Sequence, residues 1–301
     1  MAGIGFARMH GCGNDFVVID DREGRWHARR QDLAREVCDR RHGLGGDGLI
    51  LLEAADSGAD FRMAADFRMA YVNRTGMDGE MCGNGARCAI LRAAEIGIAP
   101  RGAPIRMATD AGRIQATIVG STVTLAMTDP IGEREAVALD IGGRVFDFHY
   151  IDTGVPHAVA FLAEPAELES LDLESIGPLV RHHAAFAPRG VNANFAAPLP
   201  DGSLRMRTFE RGVEMETLAC GTGAVAVGLM AHRRFGAAAP VLIHPTGRGL
   251  LEIGFQADDE AFREVTLKGP AETIAEGEIP EAWLAARGLL AGGALSAASA
   301  G

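Results

Sequence analysis

The sequence predicts an α+β fold built from two related halves. Three observations lead there. The phrase Met81-Cys82-Gly83-Asn84-Gly85-Ala86 recurs as Ala219-Cys220-Gly221-Thr222-Gly223-Ala224. Each copy opens a run with helical spacing that is mostly apolar all round, and such a helix is buried rather than laid on a surface. Around both runs the chain reads as many short strands bounded by Gly, Asp and Pro. A buried helix wrapped by strands, twice in 301 residues, makes two domains, and that length suffices for two cores.

The elements follow in order. Phe16 to Ile19 and Leu49 to Leu52 are apolar runs of strand length. Gln31 to Arg41, between them, is an amphipathic helix, and a strand ends at Asn73. Gly85 to Ile96 is the first buried helix, with Gly97 as its C-cap. Ile105 to Thr109 and Arg113 to Val119 flank the hairpin signal Asp110-Ala111-Gly112, and Thr122 to Met127 follows as a strand. In the second half, Ala136 to Leu139 and Val145 to Tyr150 flank Gly142-Gly143, and Val155-Pro156-His157 reads as a turn. Pro165 to His182 is helical, with a candidate break at Gly177-Pro178. Phe195 to Leu199 and Leu204 to Phe209 flank a Pro-Asp-Gly-Ser turn. Gly223 to Phe235 is the second buried helix, with Gly236 after it. Val241 to His244, Leu250 to Phe255 and Glu264 to Leu267 close the list of strands. The boundary falls near Thr128 to Glu133, which gives halves 1–130 and 131–270. Residues 282–301 read as an Ala, Gly and Ser-rich tail.

Composition excludes several function classes. A net charge of −11 argues against nucleic acid, which needs a basic face, and against an anionic membrane surface. No apolar run approaches a membrane span, and Met1 to Arg8 lacks the regions of a signal peptide, so a cytoplasmic protein is expected. The five cysteines are Cys12, Cys38, Cys82, Cys88 and Cys220. Their odd number and the lack of a Cys-x-x-Cys pair argue against a disulfide framework or a zinc site, so no metal is expected.

The repeated phrase carries chemistry. A helix start has unpaired N–H groups and a partial positive charge, which lower the pKa of a thiol placed there. The same N–H groups can hold a carboxylate, and the glycines let a ligand approach the backbone. Two such thiols facing one carbon form an acid and a base for moving a proton across it. A single Cys-Gly-x-Gly is better explained as a small buried residue at a tight turn. A phosphate loop is also weak here, because no Walker lysine follows and the full Gly-x-Gly-x-x-Gly spacing is missing. The duplication, with Cys in the same place, favours catalysis. Singly, the other polar residues have bland explanations. Asn14-Asp15 form turns, Asn192 caps a strand end, Asp47 is structural between glycines, Glu210-Arg211 is a solvated pair, and His157 is a core histidine.

Together these residues resemble the diaminopimelate epimerase family over nearly the whole chain. The resemblance rests on Met9-His10-Gly11-Cys12-Gly13-Asn14-Asp15-Phe16, Glu80 to Cys88, and Gly154-Val155-Pro156-His157-Ala158-Val159. In the second half it rests on Asn192 to Phe195, Arg207 to Gly212 and Glu216 to Gly223. It implies two pseudo-symmetric domains, each a strand-rich barrel around a central helix, with the active site in the cleft between them. It also implies that a strand in 271–281 returns to the first domain. The implied reaction interconverts LL- and meso-diaminopimelate, in lysine and peptidoglycan precursor biosynthesis, with neither cofactor nor metal. A homodimer with a small amino-acid substrate is implied too. Carried over by residue, Cys82 and Cys220 are the acid/base pair, and His157 and Glu210 assist them. Backbone groups at Gly83, Asn84, Gly221 and Thr222 hold the reacting carboxylate. Asn14, Asn73, Asn192, Glu210 and Arg211 bind the substrate, including its distal end.

The chain departs from the common family pattern in four places. Val155 stands where many members have Asn, and the segment from Arg211 to Cys220 is one residue longer; one branch carries both features. Gly48 replaces a Gln of some members, and Cys12 sits where Leu is common. The alternative function is a racemase of another amino acid, such as histidine, on the same scaffold. Asn84 disfavours a proline racemase, in which His is usual. A phenazine-type isomerase would be expected to lack a cysteine base. A non-enzymatic anion-binding module is the remaining class.

Overall fold

A computed structural model of the chain describes residues 3–55, 65–79, 82–258 and 260–290. Glu80 and Met81 of the matched phrases, and 291–301 of the expected tail, lie outside the described residues.

The first half contains β1 (Ile4–Gly11), β2 (Asn14–Asp20), α1 (Arg30–Val37), β3 (Gly48–Glu53), β4 (Phe67–Asn73), α2 (Gly83–Glu95), β5 (Ile105–Thr109), β6 (Gly112–Val119) and β7 (Thr122–Ala126). The second half contains β8 (Ile131–Ile141), β9 (Arg144–Asp152), β10 (Pro156–Phe161), α3 (Pro165–Glu169), α4 (Leu173–Arg181), β11 (Asn192–Pro198), β12 (Leu204–Glu210), β13 (Met215–Thr217), α5 (Gly221–Phe235), β14 (Val241–His244), β15 (Leu251–Ala257) and β16 (Phe262–Pro270). β17 (Glu272–Ile279) and the short α6 (Glu281–Ala285) follow.

The repeat extends from the Cys-Gly-x-Gly phrase to the strand pairing of each half. From β1 to β7, neighbours pair in sequence as antiparallel, parallel, antiparallel, parallel, antiparallel, antiparallel. The run β9, β10, β11, β12, β14, β15, β16 repeats that series without change. Each run gains one antiparallel outer strand: β8 on β9, and β17 on β1. The halves join where β7 pairs antiparallel with β16, Leu125 opposite Leu267.

Burial explains the helices. Ala86, Cys88, Ala89, Ile90 and Leu91 of α2 share one core with Ala224 to Val227 of α5, and with Leu125 and Leu267 at the seam. α1 buries Leu33, Ala34 and Val37 against Leu49 and Leu51 of β3, while Ile50 and Leu52 face α2. β3 is therefore covered on both faces, the reason for its unbroken apolar run.

Three local expectations need correction. The helix over 165–182 is two helices, and the interruption falls at 170–172 rather than at Gly177-Pro178. The Asp172 carboxylate accepts from Ser175 N at 3.2 Å and starts α4, which then contains Pro178. Gly177 serves packing instead, since a Cβ there would stand 2.4 Å from the Phe209 ring. The helix from Gln31 ends at Val37, and Asp39 then turns the chain by accepting from the backbone N–H groups of Arg41 and His42. Pro156 and His157 do not lie in the turn; they begin β10, and Gly154 at φ +104° carries the reversal.

Candidate active site

α2 and α5 meet start to start. Cys82 is the N-cap of α2 at φ −124°, ψ 106°, and Cys220 is the N-cap of α5 at φ −115°, ψ 110°. Both cysteines therefore hold the same extended conformation at equivalent places in the two halves. The glycines after them touch. A Cβ on Gly221 would lie 3.4 Å from the Gly83 Cα and 2.9 Å from Cδ2 of Leu267, which sits against both helix starts. The N–H groups of both first turns are thus brought to one place. Cys82 Sγ accepts from Gly85 N at 3.4 Å, and Cys220 Sγ lies 3.6 Å from the Thr222 hydroxyl.

Asn84 ties the halves together. Its Nδ2 donates to Ala219 O at 2.7 Å, one residue before Cys220, and to Asn14 Oδ1 at 3.2 Å. Its Oδ1 accepts from Arg87 Nη2 at 2.7 Å. Arg87 is fully buried and also donates to the Gly83 and Pro270 carbonyls.

A cavity of about 350 Å³ opens beside this junction. Of the residues expected in the site, it is lined by Asn14, Asn73, Cys82, Asn84 and Glu210. Asn14 Nδ2 donates to Asp47, and Asn73 Oδ1 accepts from Thr75 and Met77. Glu210 accepts from the Thr217 hydroxyl at 2.8 Å.

The remaining expected residues do not line that cavity. Cys220 is buried, and Thr222 lines a separate cavity of about 280 Å³ together with Val155. Asn192 has both polar ends occupied. Its Oδ1 accepts from Arg211 N at 2.8 Å, and its Nδ2 donates to Pro156 O at 3.1 Å. It thereby ties the Arg211 backbone to Pro156, the first residue of β10. His157 is fully buried; its Nδ1 meets Asn194 Nδ2 at 3.1 Å, and its Nε2 has no hydrogen-bond partner among the described residues.

The electrostatics correct the expectation of low thiol pKa values. Burial pushes the Cys82 thiol up to about 11, with the Glu210 charge adding to it. The Gly85 and Asn84 N–H groups and the Arg87 charge act the other way, but with smaller effect. Cys220 is raised by burial first and by the Glu210 charge second, against the Thr222 hydroxyl and the Gly223 N–H. Desolvation therefore outweighs the helix start at both positions. Burial also raises Glu210 to about 7, and burial lowers His157 to about 3, so the imidazole is neutral.

Sequence reasoning missed three residues here. Tyr71 lines the cavity beside Cys82 and Glu210, its ring gripped between Gly48 and Gly79. Asp47, read as structural, lines it too and bonds Arg40 at 2.8 Å. Gly48 carries the only early signal: a Cβ there would stand 2.5 Å from the Tyr71 ring. Asn194 is the third, treated below. Among the described residues no group of three or more His, Cys, Asp or Glu could hold a metal ion, and no helix is long and apolar enough to cross a membrane.

Comparison with known proteins identifies the family. A family model described as "Diaminopimelate epimerase" matches residues 6–131 and again 149–274. A diaminopimelate epimerase of Chlorobaculum tepidum is 41% identical over 90% of this chain and 99% of its own length. One from Aquifex aeolicus is 36% identical over 92% of this chain and 98% of its own. Solved structures share the fold at low identity. A phenazine biosynthesis protein of the PhzF family from Bacillus anthracis has a TM-score of 0.71 at 16% identity, covering 93% of this chain and 99% of that one. A hydroxyproline epimerase from Agrobacterium vitis, with bound trans-4-OH-L-proline, has a TM-score of 0.67 at 19% identity over 93% and 94%. By sequence match along both halves, the chain belongs to the diaminopimelate epimerase family.

Proposed function

We propose that the chain is an isomerase that interconverts LL- and meso-2,6-diaminopimelate, with Cys82 and Cys220 as its two proton-carrying groups. The observation that carries this reading is the pair of N-cap cysteines in one conformation at two touching helix starts. One thiolate removes the α-proton from one face of the carbon. The other thiol delivers its own proton to the opposite face. The product leaves with inverted configuration, and the two sulfurs have exchanged roles.

The carbanion is the costly species. Its charge moves onto the carboxylate, where fixed donors act most strongly in a dry site. The N–H groups at Gly83, Asn84, Gly221 and Thr222 supply those donors. Glu210, with a pKa near 7, accepts the proton that converts a thiol to a thiolate, so thiol and carboxylate become thiolate and acid. His157 Nε2 lies buried and unpaired, in keeping with a group that bonds only when the reaction supplies a partner. Asn14, Asn73 and Arg211 bind the distal amino-acid end. Asn192 acts through Arg211, since its own amide is used within the protein. A cytoplasmic homodimer belongs to the same reading.

Incubation with LL-diaminopimelate in D2O tests it. The expected result is α-deuterium uptake with meso product, lost in Cys82→Ala and in Cys220→Ala. No uptake with this substrate, but uptake with another amino acid, would overturn the substrate. No uptake with any would overturn the enzyme reading.

A further inference from the structure

His157 and Asn194 sit on neighbouring strands. β10 and β11 pair in parallel, and His157 lies opposite Asn192 in that register. Asn194, two residues on, reaches back. Its Nδ2 lies 3.0 Å from Ala158 O, 3.1 Å from Asn192 O and 3.1 Å from His157 Nδ1. Its Oδ1 accepts from the Thr208 hydroxyl of β12 at 3.0 Å.

These partners fix the amide. Backbone carbonyls can only accept, so the side of Asn194 that faces Ala158 O and Asn192 O must be the NH2 group. The opposite orientation would set an oxygen against two oxygens. With Asn194 so held, His157 Nδ1 faces an amide nitrogen that cannot accept a hydrogen bond, so a proton on Nδ1 would have no acceptor there and the ring presents its lone pair instead. The one proton of the neutral ring is then on Nε2. That Nε2–H is buried with no partner among the described residues. Burial is the main cause that keeps the ring from taking a second proton, and the Arg211 charge adds to it.

The surroundings make Asn194 hard to move. It is fully buried, and a Cβ on Gly223 would stand 2.5 Å from its Oδ1. Gly223 therefore serves more than the helix turn: its missing side chain is the space in which Asn194 lies. The same amide touches β10, β12 and the first turn of α5, the helix capped by Cys220.

We propose that Asn194 is a positioning residue that locks His157 in its Nε2-protonated form, so that His157 enters the reaction as a hydrogen-bond donor and not as a base. This rests on the reading of His157 as a participant in the proton transfer. It goes beyond that reading by naming which proton the ring carries and which residue dictates it.

The test uses the full-length protein labelled with 15N-histidine. In the wild type, the long-range 1H–15N spectrum should show His157 Nδ1 unprotonated and Nε2 protonated, unchanged from pH 5.5 to pH 9. Nδ1 protonated in the wild type would overturn the proposal without any variant. Asn194→Ala removes the donor, and the His157 resonances should shift towards a mixture of both tautomers. A spectrum left fully in the Nε2–H form would show that something else holds the ring, and would also overturn it. Asn194→Asp offers an acceptor in place of the donor, which moves the proton to Nδ1 and adds a titration of His157 to the pH–rate profile. In both variants kcat should fall by about 100-fold or more, with KM changed far less. The spectra require no turnover. If diaminopimelate is not the substrate, the tautomer result stands, and only the functional reading fails.

Discussion

Gly83 and Gly221 touch across the junction of the two halves, Cα against the space of the missing Cβ, at 3.4 to 3.5 Å in both directions. A side chain at either position would press on its neighbours. At Gly221 a Cβ would also press on Leu267 Cδ2 at 2.9 Å; at Gly83 the same atom is 3.1 Å away. The distance between the two N-caps is therefore set by two hydrogens.

Gly221→Ala should separate the helix starts by a few tenths of an ångström. We expect a cost of about 1–3 kcal/mol in stability from overpacking. The loss in kcat should be larger than stability alone explains, roughly 10- to 100-fold, because the sulfurs are displaced from the carbon between them. Gly83→Ala should be milder. Steady-state kinetics beside thermal melts would check the order; equal activity in both variants and wild type would refute it.

Glu210 makes stability depend on pH. Folded, its carboxyl keeps its proton up to about pH 7, against 4.5 for the free group. Between those values the folded chain binds more protons than the unfolded chain. Its stabilising contribution is whole below pH 4.5 and is lost as pH rises through 7. A shift of that size corresponds to about 3 kcal/mol. Glu210→Gln cannot ionise, so the variant should gain on the wild type by about 2–3 kcal/mol between pH 5 and pH 8 in denaturant titrations. An unchanged gap would mean that Glu210 titrates normally.

Asn84 separates stability from activity. Asn84→Ala removes one acceptor of the buried Arg87 guanidinium and the donor to the Ala219 carbonyl, and should cost about 1–3 kcal/mol. Asn84→Asp still offers Arg87 an acceptor, so much of that stability should return. It cannot donate to Ala219 O, so kcat should stay low. Full recovery of kcat in the Asp variant would show that the bond across the halves does not matter.

Gly48→Ala should also harm the protein. Its Cβ would stand 2.5 Å from the Tyr71 ring and 2.8 Å from Val72 O. The second contact is backbone, so β3 and β4 must part, at a cost of about 1–3 kcal/mol. The ring is driven into the cavity, and KM for diaminopimelate should rise. A melting temperature equal to wild type would refute the packing argument.

The sequence announced what repeats and what alternates. Cys82-Gly83 and Cys220-Gly221 were legible because a duplicated phrase is a local signal, and most strands were legible because burial on one or both faces leaves a period or a run. The pairing of His157 with Asn194 was not legible. It depends on the parallel register of β10 and β11, which no spacing within either strand encodes. The thiol pKa values went astray for a related reason. A helix start is visible in the sequence, whereas the desolvation that outweighs it exists only once the chain has packed. The helix break near Asp172 was written in a plain capping residue, but Gly177-Pro178 drew the eye, although Gly177 answers to the Phe209 ring.

The pairing of β17 with β1 bears on how the chain is made. β1 is made about 260 residues before β17, its outer neighbour. At ordinary rates of synthesis that interval is roughly 15–50 s. Throughout it, the nascent first half carries a bare row of N–H and C=O groups from Ile4 to Gly11, open to any other extended chain nearby. A stop codon before residue 272 would leave that row bare for good. β17 thus closes the first half, and its loss would yield a sticky protein rather than a slightly shorter one.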